Sequence, residues 1–213
     1  MTTLGVVDYG TSNLLSVTRA FEHAGATVET IKTANQVIKS DRLVLPGVGA
    51  FSNCQSSLQT HGLWEPVDEF MRSGKPFLGI CVGMQMMLEA SDEFGDHKGF
   101  GLIPGQVSAI PAIDENGMPH KIPHIGWNRL FPPDSSIRWQ GTILDGIEPE
   151  TSVYFVHSFA AQPNEDSHRI ADTDYDGVSI SAVVRRDNAY GCQFHTEKSG
   201  PVGLKIIENF LKL

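Results

Sequence analysis

Four short apolar runs, at 4–8, 28–31, 43–45 and 76–80, alternate in the first half of the chain with segments of helical period. In 13–24 the residues Leu14, Val17, Phe21 and Ala24 recur every three or four positions, which predicts a helix with one buried face. A second helix is predicted over 66–72, closed at Gly74, and a third from about 83 to 90. Strands alternating with helices imply a parallel sheet covered on its faces. Beyond Gly105 the texture changes to strand-like segments at 107–110, 153–156, 178–184 and 189–195, which predict antiparallel additions to the same sheet. A last helix is expected over 202–211, with Leu204, Ile207 and Leu211 on one stripe and Ile206 and Phe210 beside it as a core face. The expected fold is therefore three-layer α/β: a mostly parallel central sheet flanked by helices, with added antiparallel strands. No repeat, low-complexity tract or linker interrupts 1–213, which reads as a single domain.

Composition narrows the function classes. With 213 residues and 40% hydrophobic content the chain is long enough for a sizeable core. Sixteen Lys and Arg against 25 Asp and Glu leave a formal charge of −9, which disfavours a general grip on a nucleic-acid backbone. The first basic residue is Arg19 and the most apolar stretch, 76–88, is too short to span a bilayer, so a cytoplasmic protein with no membrane contact is expected. Cys54, Cys81 and Cys192 are odd in number and widely spaced, as reduced thiols are, and no CxxC pair suggests zinc. His120 and His124 have the spacing of a helical metal pair, but Pro119 and Pro123 argue against a helix, so both are expected in a loop. No metal site and no cofactor are expected.

The segment Lys75-Pro-Phe-Leu-Gly-Ile-Cys-Val-Gly-Met-Gln85 runs an apolar strand into Cys81, with glycines two residues to either side. This is the spacing of a nucleophile elbow, a tight strand-to-helix turn that lifts a reactive side chain above a sheet. The helix beyond it would direct free amide N–H groups at the sulfur and favour thiolate, and the Val82 amide could stabilise an oxyanion. Taken alone, Cys81 could equally be a small buried hydrophobe between turn glycines. A second segment, Tyr190-Gly-Cys-Gln-Phe-His-Thr-Glu-Lys-Ser199, ends in His195-x-Glu197. At strand spacing the two side chains share a face, so Glu197 would orient His195 as a general base. Together Cys81, His195 and Glu197 compose a nucleophile, a base and an orienter. The glycine-rich Pro46-Gly-Val-Gly-Ala-Phe51 fails as a phosphate loop, because Ser52 stands where a dinucleotide fingerprint wants Gly or Ala. It is either a simple turn or a donor of backbone N–H groups to an oxyanion.

These three segments, with 7–17, 123–128 and 154–159, resemble the class I, or triad, glutamine amidotransferases, and within them the glutaminase subunits of imidazole glycerol phosphate synthases. The resemblance runs over nearly the whole chain. It implies that Cys81 attacks the carboxamide of L-glutamine, that His195 protonates the leaving ammonia and then activates water, and that Glu197 holds His195. It implies a second oxyanion amide from Val48 or Gly49, opposite Val82, and a glutamine pocket lined by Gln85, Glu93, His157, Ser158 and Phe159. It places Asn13, Trp127, Asn128 and Lys198 toward a (β/α)8-barrel synthase subunit, the partner in a heterodimer that consumes the ammonia in histidine biosynthesis. The family's usual residues differ at Thr11-Ser12, at Val82, often Leu, and at Thr196, usually Pro. The alternatives are a glutaminase subunit for a surface-sugar amidotransferase, a non-catalytic docking subunit, or a thiol peptidase. The first shares the shape, the second lacks a use for the triad residues, and the third shares only the elbow.

Overall fold

The computed structural model describes residues 3–10, 13–114, 116–119 and 121–213, so Thr11, Ser12 and His120 lie outside the described residues. The first half contains β1 (Thr3–Val7), α1 (Leu14–His23), β2 (Thr27–Ile31), α2 (Ala34–Lys39), β3 (Arg42–Gly47), α3 (Phe51–Thr60), α4 (Trp64–Arg72), β4 (Phe77–Cys81) and α5 (Val82–Gln85). The second half contains β5 (Leu88–Ser91), β6 (His97–Lys98), β7 (Ile103–Ala109), β8 (His124–Arg129), β9 (Ser152–His157), β10 (Phe159–Pro163), β11 (Arg169–Tyr175), β12 (Val178–Arg186), β13 (Ala189–Cys192) and α6 (Gly200–Phe210).

Seven strands form the main sheet in the order β11-β12-β13-β4-β3-β1-β2. From β13 to β2 every neighbour is parallel, while β12 runs antiparallel to both β13 and β11. This is the expected mixed sheet. β4 lies at its middle with all five residues buried, which is why Phe77, Leu78 and Ile80 read as an unbroken apolar run rather than an alternation. The helices fall into two groups, α1 with α6 and α2 with α3 and α4. Phe21 of α1 meets Phe210 of α6 edge-on, with centroids 6.1 Å apart. One contiguous core runs from Leu4 through the sheet to Phe210.

Three expectations need correction. The strands expected at 107–110 and 153–156 do not extend the main sheet. β7 belongs to a four-stranded sheet, β10-β7-β5-β6, and β9 pairs only with β8. The helix expected from 83 to 90 ends after one turn at Gln85, and Leu88–Ser91 is a strand. The carbonyls of Met86, Met87 and Leu88, which a continuing helix would need, accept instead from the amides of Phe100, Ile103 and Gly101. His124 is not in a loop: it opens β8 and faces His157 across the β8–β9 pair.

Two helices escaped the periodicity reading. α2 begins with a capping box, Thr33 accepting from the Gln36 amide and Gln36 reaching back to the Thr33 amide. α3 buries Phe51, Cys54 and Leu58 on one face. No described helix is long and apolar enough to cross a membrane.

Candidate functional site

The site is built at the carboxyl end of the central strands. β4 stops at Cys81 and α5 begins at the next residue, so the chain reverses within one peptide. Cys81 has φ 55° and ψ −111°, a conformation that costs an L-residue about 1–3 kcal/mol and persists only where the surroundings enforce it. Here they do. A Cβ added to Gly83 would lie 1.9 Å from the Leu45 carbonyl oxygen, and one added to Gly79 would lie 2.5 Å from the Gly83 oxygen. The two glycines flanking Cys81 thus let β3, β4 and α5 meet backbone to backbone, the close approach that an elbow needs. Because α5 is a single turn, it offers the sulfur a few free amides rather than the summed dipole of a long helix.

His195 reaches the same place by a different route from the one its spacing suggested. β13 ends at Cys192, and His195 precedes a tight turn over Thr196–Lys198. The amide of His195 donates to Tyr154 O at 3.0 Å. Ser199 Oγ donates to His195 O at 2.7 Å and accepts from the Tyr154 amide at 3.0 Å. That turn, and not strand alternation, brings His195 Nδ1 to 2.7 Å from Glu197 Oε1. The Glu197 side chain is fully buried, and its Oε1 also accepts from Asn13 Nδ2. Asn13, expected toward a partner, also holds the acid, from the N-cap position of α1. Glu197 Oε2 is buried without a hydrogen-bond partner.

With Nδ1 on Glu197, Nε2 of His195 is left for Cys81, which lines the same cavity. Burial alone would lower the imidazole pKa, but the hydrogen bonds with Cys81 and Glu197 and their charges outweigh it and push it up to about 9. At neutral pH His195 therefore carries a proton ready to give. Because the folded value lies above the ordinary value of 6.5, the stability these partners add is fully present below pH 6.5 and is lost as the pH rises through about 9. The melting temperature is accordingly expected to fall between pH 7 and 10 more steeply for the native chain than for a His195→Gln variant, as measured by scanning calorimetry across that range.

A cavity of about 280 Å³ opens beside the sulfur, near the lower end of small-molecule pockets. Its lining unites Val48, Gly49, Cys81, Val82, Gln85, Glu93, His157, Ser158, Phe159 and His195, residues from segments far apart in the chain, and adds Pro123 and Val156. Gln85 is buried, with Nε2 donating to Phe159 O at 3.0 Å and to Gln193 Oε1 at 3.1 Å. Glu93 accepts from the Phe51 amide at 2.7 Å, at the start of α3. Gln193 Nε2 in turn donates to Cys81 Sγ at 3.7 Å. Gln193 was missed in the sequence, although it stands two residues before His195. Burial pushes the Cys54 thiol up to about 11 and raises that of Cys192 as well, and neither lines the cavity.

The other expected surface residues separate. Trp127 is 58% exposed and Ile125 51%, on the same side of β8, and Lys198 is exposed. Asn128 is half-buried instead, donating to Asp174 O at 2.6 Å. Among the described residues no cluster of His, Cys, Asp or Glu could hold a metal ion.

Comparison with known proteins gives three kinds of likeness. A family model described as glutamine amidotransferase class-I matches residues 5–213. Imidazole glycerol phosphate synthase subunit HisH 1 of Legionella pneumophila (strain Lens) is 54% identical over 213 residues, covering 100% of both chains. Imidazole glycerol phosphate synthase subunit HisH of Geobacter metallireducens is 42% identical over 211 residues, covering 99% of this chain and 98% of that one. Among solved structures, the glutaminase domain of Trypanosoma brucei CTPS superposes with a TM-score of 0.66 at 15% identity, over 100% of this chain and 94% of that one. PurLQS from Thermotoga maritima superposes with a TM-score of 0.71 at 18% identity, over 99% and 98%. At those identities the structural likeness speaks for the fold.

Proposed function

Because the chain belongs to the class I glutamine amidotransferases, we propose that Cys81, His195 and Glu197 hydrolyse L-glutamine to glutamate and ammonia, as the glutaminase subunit of an imidazole glycerol phosphate synthase in histidine biosynthesis. The observation that carries the reading is that Cys81 and His195 line one small cavity while His195 Nδ1 lies 2.7 Å from the buried Glu197 carboxylate. Sγ attacks the carboxamide carbon of glutamine, and the carbonyl electrons move onto oxygen. The Val82 amide and the Val48–Gly49 backbone stabilise that oxyanion. The tetrahedral adduct collapses with the C–N bond breaking, and His195 gives its proton to the departing nitrogen. A thioester remains on Cys81. Neutral His195 then takes a proton from water, hydroxide adds to the thioester, and the C–S bond breaks to release glutamate. Glu197 keeps Nδ1 occupied throughout, so that Nε2 is the only nitrogen facing the reacting atoms.

The ammonia passes to a barrel-type synthase subunit docked over the exposed face of β8 and the turn at Lys198. Docking there sits next to Asn13 and Glu197, so the partner can tune the aim of the site without contributing a reacting group. The test is glutamate release from glutamine by the purified chain alone and mixed with a barrel synthase subunit plus its nucleotide substrate. Mixing is expected to raise release by roughly 10²-fold, the effect of bringing one misdirected oxyanion donor into place. A peak with a sugar-pathway synthase would reassign the acceptor. No release in any mixture would overturn the glutaminase itself.

A further inference from the structure

Two buried histidines, His157 in the cavity wall and His124 behind it, take no part in the chemistry above. His157 Nδ1 lies 2.9 Å from Phe159 O, and His157 Nε2 lies 3.0 Å from His124 Nδ1. Asn128 Nδ2 lies 3.4 Å from His124 Nε2 and 2.6 Å from Asp174 O. Both ends of this relay are carbonyl oxygens, which only accept, and that sets the direction of every bond between them. Since Phe159 O accepts, Nδ1 of His157 carries the proton. Burial lowers the His157 pKa to about 3, so the ring is neutral and its Nε2 is a bare acceptor. His124 must then donate from Nδ1. At the other end Asn128 Nδ2 donates to Asp174 O, which identifies it as the amide nitrogen, and His124 Nε2 accepts from it. Each ring has one permitted tautomer.

The consequence lands on the substrate cavity. Phe159 O also accepts from Gln85 Nε2, and His157, Ser158 and Phe159 all line the cavity. His124 touches none of the cavity itself. It is 2% exposed, and its ring stacks on Tyr175 with centroids 4.0 Å apart and on Phe155 at 4.8 Å. We propose that His124 is a positioning residue: its Nδ1 proton holds His157 in the tautomer that pins the Phe159 carbonyl, and so sets the shape of the glutamine-binding wall. The relay also ties that wall to β8, whose opposite side carries exposed Ile125 and Trp127.

The kinetic readout of this proposal rests on the glutaminase reading, and the tautomer readout does not. His124→Phe keeps the aromatic stacking and removes the donor, and His124→Asn returns an amide N–H near the position of Nδ1. In the complex with the barrel subunit, His124→Phe is expected to raise KM for glutamine roughly tenfold, as loss of a hydrogen bond to a buried acceptor would, with kcat within about twofold of the native value. His124→Asn should recover most of that loss. In the full chain alone, ¹⁵N NMR of labelled histidine, assigned by a His157→Asn variant, should show His157 protonated at Nδ1 in the native protein and losing that single tautomer in His124→Phe. A native His157 protonated at Nε2, an unchanged KM in His124→Phe, or equal losses in both variants would overturn it. If the native complex releases no glutamate while the tautomer is as stated, the glutaminase reading fails and the relay stands. Should His124→Phe not fold, the native tautomer and His124→Asn still decide.

Discussion

Cys81→Ala is expected to lower glutamine-dependent ammonia release by at least about 10⁴-fold, because no other group in the cavity can form the thioester. Its effect on folding should be small. Sγ meets His195 and Gln193 but the Cβ stays, and the backbone remains at φ 55°. Cys81→Gly should be equally inactive yet melt higher than Cys81→Ala, since glycine adopts that conformation without steric cost. Stability would then change between the two variants while activity stays lost in both. Measuring initial rates in the complex together with melting curves of the free chain separates the two effects. Residual turnover in either variant above about a hundredth of native would remove Cys81 from the chemistry.

Gly83→Ala is expected to cost about 3 kcal/mol of stability, at the upper end of overpacking effects, and to lower the melting temperature by about 10 °C in a chain of this size. The reason is backbone against backbone. The new methyl would meet Leu45 O at 1.9 Å, and no flexible side-chain end is there to swing aside. Either α5 lifts from the sheet, moving Val82 and Cys81, or the end of β3 yields, moving Pro46 and the Val48–Gly49 segment. Both halves of the proposed oxyanion site share that contact, so glutaminase activity should also fall roughly 10²-fold, as a shift of about 1 Å does in a site that works by alignment. Native melting temperature and native turnover in this variant would show that the elbow relaxes more freely than its packing implies.

The parts of this architecture that local sequence encodes were readable, and those set by distant pairing were not. β4 and the elbow are continuous in sequence, so an apolar run ending in Gly-x-Cys-x-Gly carried both strand and turn. The pairing of His195 with Glu197 was anticipated at the right spacing for a different reason: the side chains meet through a turn clamped by Ser199, not along a strand. Met86, Met87, Leu88 and Glu89 are all good helix formers, and it is the amides of Gly99, Phe100, Gly101 and Ile103, ten or more residues away, that take their carbonyls and end the helix. α2 advertised itself by Thr33 and Gln36 but is only 6 residues long, too short for a hydrophobic stripe to repeat. Asn13 bonds Glu197 across 184 positions, and His124 was set aside because prolines flank it. Nothing local in either segment encodes its partner.

The unequal burial of the three thiols makes the protein its own counter. Cys54 and Cys192 are sealed in the core with their ionisation suppressed, and Cys81 alone opens onto the cavity. Under native conditions a thiol reagent small enough to enter the cavity is therefore expected to titrate close to one thiol per chain, and after denaturation three. The native titre would rise from one toward three as unfolded chains accumulate, a census of folded molecules that requires neither substrate nor partner.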